Sequence, residues 1–293
     1  MTSKVVPYNS TVDQKDDSPD LPDSPILQSF IVKTNLTINL HHFVDKMGSI
    51  CLLNNSNDRS GTIVALKFKD VIKGNGDLFK NKTGFKNACH IVMYHTLDKR
   101  CKKMVHIKIT ANGTFQIVGV PIVDVEKVVY KLFLIFDKLN KDVDIFTSRT
   151  ENKLEMVIVP ILNNYMITLP KNLTDHIFKL SKAQIVQKFV DKNFLSFMVP
   201  SDPAITIKRS YVYSEYSNNP VRYIVWSKKS GKTIQHIEYD SYTTLLSGTQ
   251  KANAQRKKYV TIRLYSTGKV LVSGFNDILV QRTFQKFYEV LTC

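Results

Sequence analysis

The sequence predicts an α+β protein built around an antiparallel sheet, and two observations carry that prediction. Short runs of alternating apolar and polar residues, closed by Gly or Asn turns, outnumber the stretches with the three- and four-residue spacing of amphipathic helices. One hairpin-plus-helix unit also occurs twice. Val105–Gly119 lies over Val260–Gly274 at a constant offset of 155 residues, with Val, Ile and both glycines identical.

Residues 1–25 read as a separate, disordered acidic tail: Asp13, Asp16, Asp17, Asp20 and Asp23 stand among prolines, with almost no large apolar residue. From Phe30 the strand candidates are Ser29–Ile38, Thr62–Lys69, Phe85–Tyr94, Met104–Thr110 and Thr114–Val120, the last two joined by the Asn112-Gly113 turn. A helix follows, its apolar stripe formed by Val125, Val128, Val129, Leu132, Ile135, Phe136 and Leu139. The second half repeats this order. Leu154–Leu169 is strand-like, Thr174–Val190 helical with Thr174 as N-cap, and Phe194–Val199 a strand. The hairpin Val260–Tyr265 with Lys269–Gly274 leads into a final helix near Asn276–Leu291. The domain reading is therefore a tail (1–25), a first repeat (26–140), and a second repeat (141–293) interrupted by an insertion at 200–258. Within that insertion Tyr223–Ser227 and Thr233–Tyr239 predict an added hairpin around Ser230-Gly231.

Composition narrows the function. The 293 residues carry 41 Lys+Arg against 25 Asp+Glu, a net charge of +16, which favours a polyanionic partner. The tail opposes that excess with its five aspartates, so it is a candidate competitor for the basic face or a plain solubilising extension. No apolar stretch has the length of a membrane span, and the N-terminus shows no basic region followed by an apolar run. Cys51, Cys89, Cys101 and Cys293 are scattered, and neither His41-His42 nor His90 and His95 share a face, so neither a disulfide framework nor a metal site is expected. No Gly-x-Ser-x-Gly elbow, Walker loop or paired-carboxylate motif occurs, so no catalytic residue and no cofactor is assigned.

A strand, a Gly turn, a strand ending in Gly and a long helix, present twice, resembles the TATA-box-binding protein family, most closely its divergent versions in large nucleocytoplasmic DNA viruses. Ile107–Gly119, Gly84–Met93, Asn163–Leu180 and Tyr259–Gly274 carry the resemblance. It implies a pseudo-twofold saddle: a curved antiparallel sheet of about ten strands, helices on the convex side and double-stranded DNA under the concave side. It further implies minor-groove binding with apolar wedges between flexible, A·T-rich steps, in a monomer that seeds assembly of initiation factors or RNA polymerase. By that likeness the protein works inside the cell, in the host nucleus or a cytoplasmic viral factory, with packaging in the virion a further option.

Carried onto this sequence, the family's wedge positions fall on Phe85, Phe194 and Tyr265, with Thr110 in the fourth place. A threonine cannot fill an unstacked step, so a symmetric double kink is in doubt. Strand alternation then puts His106, Lys108, Gln116 and Val118 on the DNA face, with Thr261, Arg263, Lys269, Leu271 and Ser273 in the second half. Lys108 and Arg263 stand where the cellular family is apolar, which trades sequence reading for salt-sensitive phosphate contact. Asn35 and Asn164 match the family's central asparagines, and Asn163 aligns nearly as well. Core roles for Phe85 and Phe194, a strand-end cap for Tyr265 and plain solvated charges at Lys108 and Arg263 stand beside these readings. The tyrosine-rich insertion with Trp226 either stacks on unpaired bases or forms a satellite core. Two other functions remain open: an architectural or packaging protein without promoter choice, and a saddle used only to bind proteins.

Overall fold

The computed structural model describes residues 21–47, 61–79, 86–98, 101–141, 143–150, 153–227 and 229–293. The first half holds β1 (Leu27–Thr34), β2 (Leu36–Ile38), α1 (Leu40–Lys46), β3 (Ile63–Phe68), β4 (Val71–Gly74), β5 (Ala88–Asp98), β6 (Cys101–Thr110), β7 (Thr114–Val118) and α2 (Ile122–Leu139). After β8 (Phe146–Ser148) come β9 (Lys153–Thr168), α3 (Lys171–Ile177), α4 (Lys182–Val190), β10 (Leu195–Met198) and β11 (Ile205–Tyr211). The chain continues through β12 (Pro220–Ser227), β13 (Gly231–Glu238), α5 (Tyr239–Thr244) and α6 (Gly248–Ala254). It closes with β14 (Lys258–Leu264), β15 (Lys269–Gly274) and α7 (Asp277–Thr292).

Thirteen strands form one sheet in the order β10-β11-β14-β15-β9-β1-β7-β6-β5-β3-β4, with β12 and β13 added beside β9. All its pairings are antiparallel. Read outward from the central pair β1–β9, the two halves place their strands in matching order. The register matches as well. His106 pairs with Val118 and Lys108 with Gln116; Thr261 pairs with Ser273 and Arg263 with Leu271, the same positions at the 155-residue offset. Helices α2 and α7 also begin at equivalent residues, Ile122 and Asp277.

The two hairpin glycines explain why the match is so close. Gly113 (φ +69°) and Gly268 (φ +77°) both take the left-handed region, which a side chain disfavours. Space is denied as well: a Cβ on Gly113 would lie 2.1 Å from the Leu36 carbonyl oxygen, and one on Gly268 2.5 Å from the Thr174 hydroxyl.

Each hairpin then buries one pleat face. Ile107, Ile109, Phe115 and Ile117 lie in a core with Val128, Leu132 and Phe136 of α2. Ile262, Leu264, Val270 and Val272 lie in a second core with Val280, Phe284 and Phe287 of α7. The opposite pleat face carries neither of these helices. Strand β9 joins the halves and is buried on both faces between Met156 and Val159, which is why it reads as an unbroken apolar run. Met156 and Ile158 enter the first core; Val157 and Val159 enter the second, with Val221, Tyr239 and Tyr242 of the insertion.

Several expectations need correction. Thr174–Val190 is two helices: Thr174 sits inside α3 with its hydroxyl on the Pro170 carbonyl, and Ser181 with Gln184 forms a capping box that starts α4. Strand β11, placed by the sequence inside the insertion, belongs to the main sheet between β10 and β14. The sheet exceeds ten strands because β4, β12 and β13 extend it. Residues 1–20 of the proposed tail lie outside the described residues, but Leu21 packs against the second core, so the ordered chain starts before residue 26. Among the described residues no helix is long and apolar enough to cross a membrane.

Candidate nucleic-acid interface

The pleat face away from α2 and α7 presents rows of side chains that the ladders define. In the first half one row runs Lys67–His90–Lys108–Gln116–Ile31, and the next Ala65–Val92–His106–Val118–Ser29. In the second half the rows are Phe197–Thr206–Arg263–Leu271–Met166 and Leu195–Lys208–Thr261–Ser273–Asn164. Lys108, Gln116, Val118, Arg263, Leu271 and Ser273 therefore share one face, as the alternation predicts, and Asn164 lies on it beside Ser273.

The first-half rows floor a recess of about 400 Å3 between Leu27, Lys103, His106 and Gln116. His90 and His106 touch there, ring nitrogens 3.2 Å apart. Burial first, then the neighbouring His106, Lys108 and Lys67, holds His90 down to about 4, and burial also lowers His106. Both imidazoles are neutral near pH 7, so the lysines supply the charge and the histidines supply hydrogen bonds. Phe79, which the sequence reading did not single out, packs on Val92 and Ala65 with its ring 4.9 Å from His90. The Gly76–Leu78 turn brings it there, and it covers the outer end of this face.

In the second half Arg263 is not free. Its guanidinium donates to the Asp202 carboxylate and lies 5.5 Å from the centre of the Tyr265 ring. Asp202 also accepts from the Ala204 N–H at 3.0 Å, and that bond, ahead of Arg263, holds its carboxyl below the usual range. Beside them Leu195 is 56% exposed, and Lys208 sits 5.3 Å over the Phe197 ring. Asn164 turns its Oδ1 into the sheet centre with no hydrogen-bond partner among the described residues.

Other predicted site residues fall elsewhere. Phe194 is a core residue, 6% exposed and edge-on to Phe189, because it precedes β10 and points toward α4 and α7. The aromatic on the open face of that strand is Phe197. Phe194 also lies one strand too early to match Phe85. Ile91 of β5 pairs with Ile107, and its counterpart Ile207, which pairs with Ile262, is in β11. The second-half counterpart of the position before β5 is thus the connection that holds Asp202. Phe85 itself lies outside the described residues. Thr110 is tied into its turn, donating to the Asn112 side chain and accepting from the Thr114 N–H at 3.3 Å.

Asn35 is structural. Its amide donates to Ser148 Oγ and the Lys153 carbonyl at 3.0 Å and accepts from the Glu155 N–H at 3.1 Å, fixing the entry to β9. Asn163 faces the helices, donating to Asp277 at 2.6 Å, so Asn164 is the asparagine on the open face.

The insertion forms a satellite core. Tyr216, Tyr239 and Tyr242 are buried and stack edge to face, with the Lys258 ammonium 4.6 to 5.3 Å from the rings of Phe275, Tyr239 and Tyr216. On the other side the hairpin locks onto α2. Trp226 stacks on Tyr130 at 4.0 Å, and Arg222 and Lys232 both meet the buried Glu126.

No protein-family model matches the chain. It is similar to a protein of Invertebrate iridescent virus 6 described as uncharacterized protein 335L, with 26% identity over 227 residues. That match covers 74% of this chain but 63% of the viral protein, so this chain spans less than two thirds of its relative.

Proposed function

We propose that this chain is a viral DNA-binding protein of the TATA-box-binding type. It would straddle double-stranded DNA with its open sheet face, bend it through the minor groove and seed a transcription complex with initiation factors or RNA polymerase. One observation carries the reading. Two halves of matching strand order and register, helix-backed on one side, present equivalent cross-strand rows on the other, and those rows mix cations with exposed apolar groups. Cations meet phosphates, and apolar groups such as Leu271, Met166 and Phe197 suit the sugar and base edges of a shallow groove. The similarity to a viral protein fits such a source but says nothing of activity. The architectural alternative draws on the polar row His90–Lys108–Gln116, which replaces an apolar floor with salt-sensitive contacts.

Energy-transfer bend measurements on a random pool and on A·T-rich and G·C-rich duplexes test both. Bending with preference for flexible steps, reduced in a Phe197→Ala, Tyr265→Ala double variant, supports the promoter factor. Equal affinity for all duplexes favours the architectural reading, and no binding to any duplex at low salt overturns both.

A further inference from the structure

We propose that a basic recess on the helix-covered side of the second half is a docking site for a phosphorylated peptide segment of a partner protein. This site is separate from the open face and does not rest on the DNA-binding reading.

The recess holds about 230 Å3 and is lined by Lys192, Asn193, Phe194, Arg209, Ser210 and Lys286. Lys192 and Asn193 come from the end of α4, Arg209 and Ser210 from β11, and Lys286 from α7. Arg209 pairs with Val260, whose side chain is in the second core, so its pleat face is that of α7 and opposite the Arg263 rows. Three cations thus converge with no carboxylate in the lining. Three other part-buried cations of this protein do meet carboxylates: Arg222 and Lys232 at Glu126, and Arg263 at Asp202. Among the described residues Lys192, Arg209 and Lys286 have no such partner. Like charges held around one recess repel, and an anion between them relieves that repulsion.

The donor set selects the anion. Arg209 offers a planar fork, steadied 5.6 Å from the Tyr211 ring centre; the two lysines add point charges, and Ser210 and Asn193 add neutral donors. A phosphate monoester brings nearly two negative charges and three acceptor oxygens to such a group, where a carboxylate leaves most of the charge unmet.

The carrier follows from the neighbouring backbone. β10 pairs with β11 only between Leu195–Lys208 and Met198–Ile205. β11 continues to Tyr211, paired there only with β14. Arg209 and Ser210, half-buried beside the recess, therefore leave a short unpaired strand edge, which an extended peptide can join by main-chain hydrogen bonds, while Tyr211 beyond them is buried. A duplex has no counterpart to those bonds, so the edge favours peptide over nucleic acid.

The test is fluorescence anisotropy with the full chain and a short strand-forming peptide, labelled, with and without phosphoserine. The phosphorylated form should bind at least about tenfold tighter, and millimolar inorganic phosphate should displace it. The exposed pair Lys192→Glu with Lys286→Glu should erase the preference while leaving the thermal melt unchanged. Arg209→Lys should weaken it by keeping charge but losing the fork. Equal affinity for the two peptides, a phosphopeptide no tighter than inorganic phosphate, or displacement of the phosphopeptide by duplex DNA would each overturn the proposal.

Discussion

Asp202→Asn should strengthen DNA binding, and the structure sets the size of the effect. In the parent the Asp202 carboxylate faces the Arg263 guanidinium and is fixed by the Ala204 N–H. Because both contacts hold its carboxyl below the usual range, Asp202 is ionised at neutral pH and Arg263 presents almost no net charge to a phosphate. Asparagine keeps an acceptor for the Ala204 N–H but removes the charge. One freed cation adds about 0.9 to the log–log salt slope, which from a 1 M reference to about 0.1 M amounts to roughly eightfold in affinity. Titrating a labelled duplex at several salt concentrations reads both quantities. Arg263→Ala alone leaves the Asp202 carboxylate unpaired and should weaken binding, and in the Arg263→Ala background Asp202→Asn should recover that loss without reaching the affinity of Asp202→Asn alone. An unchanged slope in Asp202→Asn together with unchanged affinity in Arg263→Ala would show that this pair does not face the nucleic acid.

Three further outcomes are expected. Glu126→Gln should cost about 2–3 kcal/mol in urea unfolding, less than the about 3–5 typical of a fully buried pair, because Arg222 and Lys232 keep 18% and 31% of their side-chain exposure; Trp226 fluorescence should report loosening of its stack on Tyr130. Gly113→Ala should cost about 2 kcal/mol or more, since it combines a left-handed φ with a Cβ 2.1 Å from a backbone oxygen. Burial pushes the Lys258 ammonium down to about 8 from 10.5, so the unfolded chain binds more protons between those values and stability should rise with pH from about 8. That rise should end near pH 10, where unfolded tyrosines ionise while burial keeps Tyr239 and Tyr242 protonated, and Lys258→Met should flatten it.

Much of the fold is legible because local rules and tertiary packing agree. The period-2 alternation of Val105–Gly119 and Val260–Gly274 fixes which residues meet the helices, and the two turn glycines fix the register. Where a segment is short the signal fails. Ile205–Tyr211 carries one apolar–polar alternation and then Lys208-Arg209-Ser210, so nothing local separates it from the insertion that follows. Leu195–Met198 has an aromatic before it and another inside it, and only the packing of α4 and α7 decides that Phe194 is core and Phe197 is not. Asp202 and Arg263 are 61 residues apart, and no spacing rule links them. Phe79 reaches the open face only because a 3-10 turn folds it back over β5, a conformation that periodicity does not encode.

The two halves share a register but present different surfaces, and that difference has a functional consequence. The first-half rows end under Phe79 and carry Lys108 beside two neutral histidines. The second-half rows end in Leu195 and Phe197 and hold a cation that is already paired. Between them the insertion packs against Val157 and Val159, next to Lys33, whose ammonium donates to the Asn112 carbonyl at 2.5 Å. A duplex laid across both halves would therefore meet Lys108 with two histidines on one side and the Arg263–Asp202 pair beside Leu195 and Phe197 on the other. Unstacking a base step requires an apolar group in the gap, and both halves offer exposed candidates on this side: Leu27 and Met104 in the first, Leu195 in the second. Duplication of the register supplies a platform for two equivalent contacts. Divergence of the side chains makes the two surfaces unequal, so under the proposed DNA-binding reading a bound duplex should adopt one preferred direction, and footprinting on an asymmetric site would show both orientations equally if that reasoning is wrong.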